Sequence, residues 1–237
     1  MNLADRLRDL SQRNGCNYFG IGDLGAAREF IRDQGGDTLA EYPLAVSAGI
    51  RLLDTLVDLL PDRDTNPSAA ALYRSHAYEV VNTQLDLAAL AIAGSIQEEG
   101  FRALPIPASK RTDNARICGP FSHKLAAHLA GLGWIGKNCL LITRDHGPRV
   151  RWTTVLTNAP IVPTGKPMKP RCGVCQECET ACPVHAIRGI IFDPSEPRET
   201  RLDAAICERY YTQMEKGGGE KVCGMCLYSC PYGRISR

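Results

Sequence analysis

Apolar positions along the chain switch between two periods, and the switches mark out elements. Leu3, Leu7 and Leu10 fall at helical spacing, and Asn14-Gly15 closes that helix ahead of the short apolar run Tyr18 to Ile21. Tyr42 to Ile50 reads as a strand. From Leu72 the longest helix begins, and Tyr78, Val81, Leu85, Ala89, Ile92 and Ile96 trace one apolar stripe along it to a stop at Gly100. A stripe that continuous predicts a central packing helix. A further helix is predicted over about Ser122 to Leu132, before the run GWIGKNCLLI, and Arg149 to Thr157 alternates as a strand does. The stretch from Pro160 to Pro170 carries four prolines, which exclude both a helix and a central strand. The chain therefore divides there into an α/β domain over residues 1–160 and a second domain over residues 161–237, an α+β arrangement overall.

Composition narrows the class. Of 237 residues, 44% are hydrophobic and 23% charged, so the chain can bury a core and is not a disordered tail. No apolar run approaches the roughly 20 residues of a membrane span. The opening MNLADRLRDLSQRNG has neither the apolar core nor the cleavage site of a secretory leader, and a cytoplasmic location is expected. Against that background cysteine stands out: there are eleven, and eight lie between Cys172 and the C-terminus. In a reducing compartment, cysteines at this density point to metal ligation more than to disulfides.

Their spacing is specific. Cys172, Cys175, Cys178, Cys182 and Pro183 match the C-x2-C-x2-C-x3-C-P run of bacterial two-cluster ferredoxins. Two-residue gaps let the chain turn so that neighbouring thiolates converge on one core with backbone N–H groups aimed at sulfur. In such ferredoxins the fourth cysteine ligates the other cluster. A second set follows, Cys207, Cys223, Cys226 and Cys230-Pro231, with its first gap expanded but the same C-x2-C-x3-C-P ending. Reciprocity then assigns Cys172, Cys175, Cys178 and Cys230 to one [4Fe-4S] cluster and Cys182, Cys207, Cys223 and Cys226 to the other. The competing reading is a pair of structural zinc sites, which would have no use for three cysteines in C-x2-C-x2-C spacing or for paired Cys-Pro endings. Counting eight thiolates and two cores of about +2 each moves the formal charge of +2 to about −2. Lys166, Lys169, Arg171, Arg188, Lys221 and Arg234 then act as counter-charge, in preference to a nucleic-acid patch.

Two clusters make a one-electron relay, and a relay needs a terminus. The run Ala130 to Asn138 (AGLGWIGKN), Leu140 to Ile142, the Arg149-Val-Arg step and the double-cluster tail together resemble the cobalamin-dependent epoxyqueuosine reductases, with the reductive dehalogenases as more distant relatives. This resemblance implies a nitroreductase-like α/β domain carrying a corrinoid, followed by a ferredoxin-like module that delivers electrons to cobalt. The cofactor would supply the organometallic chemistry and the protein would position it. Three departures stand out. The family's catalytic aspartate, just before a tyrosine at the start of the long helix, aligns with Ala77, whose methyl group donates no proton; the adjacent His76 is the candidate replacement. Phe101 to Ser109 differs from the tRNA-acting enzymes, which implies a rebuilt substrate pocket. The chain also stops at Arg237, without the helical-repeat extension that helps some relatives hold tRNA.

The remaining candidates follow from local chemistry. Gly131, Gly133, Trp134, Gly136, Lys137 and Asn138 are the expected cofactor contacts: the glycines for close backbone approach, Lys137 for an acidic side chain of the cofactor. A plain helix cap at Gly131 and Gly133 is the competing reading. Ser122 is the expected N-cap of its helix, and His123 a second catalytic candidate. Cys16, Cys118 and Cys139 are unpaired by motif and resemble small apolar residues, with Cys118, near Arg116, the one worth testing for reactivity. His128, His146 and His185 are expected to be structural or solvated. The function expected is an iron-sulfur oxidoreductase passing single electrons to a corrinoid centre, supplied by a ferredoxin or flavodoxin, with no membrane or nucleic-acid partner. The alternatives are an electron carrier that docks a redox partner, and a flavin-using relative.

Overall fold

A computed structural model describes residues 2–234. Helix α1 (Leu3–Arg13) is capped by the Asn2 side chain, which accepts from the Asp5 amide, and ends at Asn14 before left-handed Gly15. Strand β1 (Tyr18–Asp23), α2 (Arg28–Gly35), α3 (Asp37–Ala40) and β2 (Leu44–Arg51) follow, then α4 (Asp54–Asp58) and α5 (Pro67–Leu72). A π-helical segment, Tyr73–Val80, runs directly into α6 (Val81–Glu98). Next come β3 (Ala103–Ile106), α7 (His123–Leu129), the two-residue strands β4 (Trp134–Ile135) and β5 (Leu141–Ile142), and β6 (Val150–Thr157). The C-terminal part holds short helices α8 (Glu177–Thr180) and α10 (Met225–Tyr228), with the longer α9 (Ala204–Lys216) between them. Among the described residues no helix is long and apolar enough to cross a membrane.

The chain packs as two compact units that interleave along the sequence. The first comprises the residues up to Arg51, Asn82–Gly133 and Arg151–Met168. It is built on a four-stranded sheet in the order β1-β2-β6-β3, with β1 antiparallel to β2 and β3 antiparallel to β6. Helix α7 packs on β1 and β2. Leu24, Ile31, Tyr42, Ala45, Ile106, Phe121, Ala126 and Leu156 form its core. Of the predicted stripe, Leu85, Ala89, Ile92 and Ile96 are buried on α6, along with Ala88 and Ala93, whereas Tyr78 and Val81 are only half-buried.

The second unit comprises Leu52–Val81, Trp134–Val150 and the described residues from Lys169 to Arg234. Leu52, Val57, Leu60, Tyr73, Ala77 and Val222 form one apolar cluster in it. Arg149, almost wholly buried, donates to Asp54 Oδ1 and Asp58 Oδ1, both at 3.0 Å, and so ties residues 134–150 to α4. The expected domains 1–160 and 161–237 divide the chain at one point along the sequence. In the structure, residues 52–81 and 134–150 group instead with the C-terminal cysteines. A hydrophobicity pattern reports which face of an element is buried but not against which segment, so this grouping had no local signal.

Several local expectations are corrected. The start of the long helix is π-helical and not α-helical. Ser122 holds the N-cap position of α7 but makes no side-chain cap bond. Within the Phe101 to Ser109 segment, to which the sequence pattern assigns no element, residues 103–106 form the edge strand β3, where Pro105 is tolerated because an edge needs no donor on its open side. Residues 160–170 carry neither helix nor strand, as their prolines dictate.

Candidate metal centre

The C-terminal cysteines reach their positions through tight turns. The Cys175 amide donates to the Cys172 carbonyl at 3.0 Å around Gly173, whose φ of 50° lies in the left-handed region. Cys178 lies on α8, and Cys182 follows it with its amide on the Glu179 carbonyl at 3.2 Å. Cys207 sits on the first turns of α9, capped by Asp203, whose carboxylate accepts from the Ile206 amide at 2.9 Å. Cys226 is on α10, entered through left-handed Gly224, and Cys230 precedes the turn Pro231–Gly233. None of the eleven cysteines forms a disulfide.

Mutual electrostatics sorts eight of these thiols into two sets. Cys230 is pushed up to about 11, first by burial and then by the charges of Cys172, Cys178 and Cys175. Cys178 rises to about 11 by burial and by Cys172 and Cys175. Cys207 rises to about 11 by burial and by Cys223 and Cys182. Cys226 is raised further still, by burial and by Cys223, Cys207 and Cys182, with Cys178 a weaker influence. Thus Cys230, from the second motif, stands with the first three cysteines of the first motif, and Cys182, from the first motif, stands with Cys207, Cys223 and Cys226. A pocket in the second unit is lined by all four of Cys172, Cys175, Cys178 and Cys230.

This donor set suits a multi-iron cluster. Thiols crowded in a buried place resist ionising alone, and a cationic core reverses that balance by binding thiolates outright. Backbone amides already point at sulfur: Ala186 N–H donates to Cys182 Sγ at 3.2 Å, Met225 to Cys223, Tyr232 to Cys230, and Cys178 and Glu179 to Cys178. Such bonds favour the anionic sulfur. Among the described residues, no three Cys, His, Asp or Glu side chains are drawn together as a single bound ion would need.

The expected cofactor contacts have other partners. Gly131 and Gly133 belong to the first unit. Gly131, at φ 76°, caps α7, and a Cβ there would come within 3.0 Å of the Lys166 backbone; the Gly133 carbonyl accepts from His128 Nδ1 at 3.0 Å. Trp134 is fully buried and meets the Tyr232 ring edge-on at 4.7 Å between centroids. Gly136 lies under Ile142, where a Cβ would approach to 2.8 Å. Lys137 Nζ donates to the Cys175 carbonyl at 2.9 Å, and Asn138 Nδ2 donates to the Cys226 carbonyl at 2.9 Å. In this structure these residues are bonded to or packed against neighbouring protein groups, and Lys137 and Asn138 also line the pocket of Cys172, Cys175, Cys178 and Cys230.

The histidine candidates are separated from these thiols by role. His123, in the first unit, has both ring nitrogens bonded, Nδ1 with Thr154 Oγ1 at 2.9 Å and Nε2 with the Pro107 carbonyl at 3.0 Å. The carbonyl can only accept, so Nε2 carries the proton and the ring is a neutral link between loop and sheet. Burial lowers its pKa. His76 is exposed on the π-helical segment, while Ala77 is fully buried in the apolar cluster with Tyr73 and Val222. Cys16 and Cys139 are buried, as small apolar residues would be, and Cys118 forms a bridge pair with Asp113.

Two residues that carry no motif belong to the thiol site. Arg63, 9% exposed, bonds the Leu60 carbonyl at 3.0 Å and Tyr210 Oη at 3.3 Å, and its charge favours the Cys223 thiolate. Tyr211 is raised by burial first and then by Tyr78 and by Cys207, Cys223 and Cys226. Neither could be found by spacing, since Arg63 lies far from the cysteines in sequence and a tyrosine on a helix has no metal signature.

No protein-family model matches the chain. An epoxyqueuosine reductase from Listeria monocytogenes is 34% identical over 126 residues, which cover 49% of this chain and 31% of that protein. One from Vibrio cholerae is 27% identical over 236 residues, 93% of this chain and 58% of the relative. The chain thus spans less than two thirds of the length of these relatives. Among solved structures, a reductive dehalogenase whose structure suggests a mechanism for B12-dependent dehalogenation aligns with a TM-score of 0.67 at 19% identity, over 97% of this chain and 32% of that one. An epoxyqueuosine reductase with an epoxyqueuosine-modified tRNA-Tyr stem loop aligns with a TM-score of 0.60 at 18% identity, over 98% and 66%. By sequence the chain is related to the epoxyqueuosine reductases, and by fold to these and to the reductive dehalogenases.

Proposed function

We propose that this chain is an iron-sulfur oxidoreductase that relays single electrons through two [4Fe-4S] clusters. Cys172, Cys175, Cys178 and Cys230 would hold one, and Cys182, Cys207, Cys223 and Cys226 the other. The observation that carries this reading is the exchange of one cysteine between the motifs: Cys230 lines one pocket with Cys172, Cys175 and Cys178, and Cys182 packs in one cluster with Cys207 and Cys226. When bound, such clusters supply one-electron transfer. The protein's own part is to gather the thiols, with Cys182, Cys223 and Cys230 buried and the rest half-buried, and to aim backbone N–H groups at sulfur. A ferredoxin or flavodoxin is the donor proposed. The terminus proposed is a corrinoid, supported by the relatives and by a fold neighbour described as B12-dependent.

Anaerobic reconstitution with iron and sulfide tests the reading. About eight irons per chain are expected, with a broad brown absorbance. Cys230→Ser and Cys182→Ser should each destabilise a different cluster, so that the double variant loses more iron than either alone. A colourless protein holding one or two zinc ions would overturn it. Adding cobalamin to the reconstituted protein, with an unchanged corrinoid spectrum, would remove the corrinoid alone. One observation favours a second reading, an RNA substrate: a fold neighbour is bound to a tRNA stem loop. Binding of a tRNA stem loop, measured by gel shift at fixed salt, separates it from a small-molecule substrate.

A further inference from the structure

Lys137 is 7% exposed. Its one bonded partner among the described residues is the Cys175 carbonyl, at 2.9 Å from Nζ. Among the described residues no carboxylate pairs with it, and Glu177, the acid on the same pocket, pairs with Arg234 at 3.8 Å. The adjacent Asn138 holds the Cys226 carbonyl through Nδ2 and accepts the Leu140 amide on Oδ1 at 3.1 Å. Two consecutive residues therefore hold one cysteine loop from each motif. Lys137 also lines the pocket that contains Cys172, Cys175, Cys178 and Cys230.

A buried ammonium with a single neutral partner is costly, and the cost points to an anion beside it. Four thiolates around a core of about +2 leave a net charge of about −2, which becomes about −3 when one electron is added. A fixed cation stabilises the second state more than the first.

We propose that Lys137, braced with Asn138 between the two cysteine loops, raises the reduction potential of the cluster at Cys172, Cys175, Cys178 and Cys230. This rests on the cluster reading above. Lys137 is a positioning and tuning residue: the electron arrives from the external donor and resides on iron, and no bond to Lys137 forms or breaks.

The test compares reconstituted wild type with Lys137→Gln and Lys137→Arg by iron content and by potentiometric titration followed with electron paramagnetic resonance, using dithionite as reductant. Glutamine keeps a donor for the Cys175 carbonyl and removes the charge; arginine keeps both. The expected result is about eight irons in all three proteins, with one of two midpoints moved to more negative potential in Lys137→Gln only. The shift expected is about tenfold or more in the reduced-to-oxidised ratio at fixed potential, or about 59 mV for one electron. Unmoved midpoints in Lys137→Gln would overturn the proposal while leaving the cluster reading intact. So would loss of about four irons from Lys137→Gln, which would make Lys137 a brace alone. Wild type that takes up no iron would overturn both.

Discussion

At the scale of single residues, what a side chain touches overrides what its type suggests. His123 could titrate near neutrality, yet both its nitrogens are engaged and burial lowers its pKa. His128 is lowered by burial too, against a bond to the Gly133 carbonyl that raises it. A histidine whose folded pKa lies below its ordinary 6.5 is neutral in both states at higher pH. Below that value the unfolded chain takes up the proton first, so stability declines as pH falls through about 6.5. The urea midpoint of the wild type should therefore drop between pH 7.5 and pH 5.5, and His123→Gln should show a shallower drop. Equal slopes would refute a neutral, half-buried His123. Ala77 makes the complementary case. It is legible in sequence as a missing aspartate, but its burial among Leu52, Val57 and Tyr73 is not. Ala77→Asp should cost about 3 kcal/mol or more by placing an unpaired carboxyl in an apolar cluster, read as a lowered denaturation midpoint; an unchanged midpoint would contradict that burial.

At the scale of elements, the local code was read where it is local. α1 with its Asn14-Gly15 stop, β1, β2, β6 and the buried stripe of α6 all follow from spacing and terminators that act within one turn or one pleat. β4 and β5 are two residues each, too short for any period to register, and they pair only because the GKNC turn folds Leu141 and Ile142 back on Trp134 and Ile135. The π-helical register over Tyr73–Val80 likewise has no pattern of its own. It brings Tyr73 and Tyr78 edge to face at 5.8 Å, a geometry set by packing and not by composition. The cap on α9 was equally invisible until Asp203 was seen to accept the Ile206 amide. Asp203→Ala should lower stability by about 1 kcal/mol, measured by thermal melting of the apo-protein. Because Cys207 rides on that first turn, the same variant should take up iron more slowly.

At the scale of the whole molecule, chain order and packing part company. Arg149 is a buried cation shared between Asp54 and Asp58, and it holds a mid-chain hairpin segment in the second unit. Arg149→Leu removes a buried guanidinium bonded to two carboxylates and should cost about 3 kcal/mol, with a lowered urea midpoint as the readout. By itself the sequence determined the two cysteine motifs, the reciprocal ligand sets proposed from them, the resemblance to epoxyqueuosine reductases and most long elements, because each depends on residue type at fixed short spacing. Tertiary structure alone decided that residues 52–81 and 134–150 join the cysteine-rich segment. It alone turned Lys137 and Asn138 toward the Cys175 and Cys226 carbonyls, where the sequence had pointed them at a cofactor. The reason is physical: a buried donor takes whichever acceptor folding brings within about 3 Å, and that acceptor lies 38 residues away in one case and 88 in the other.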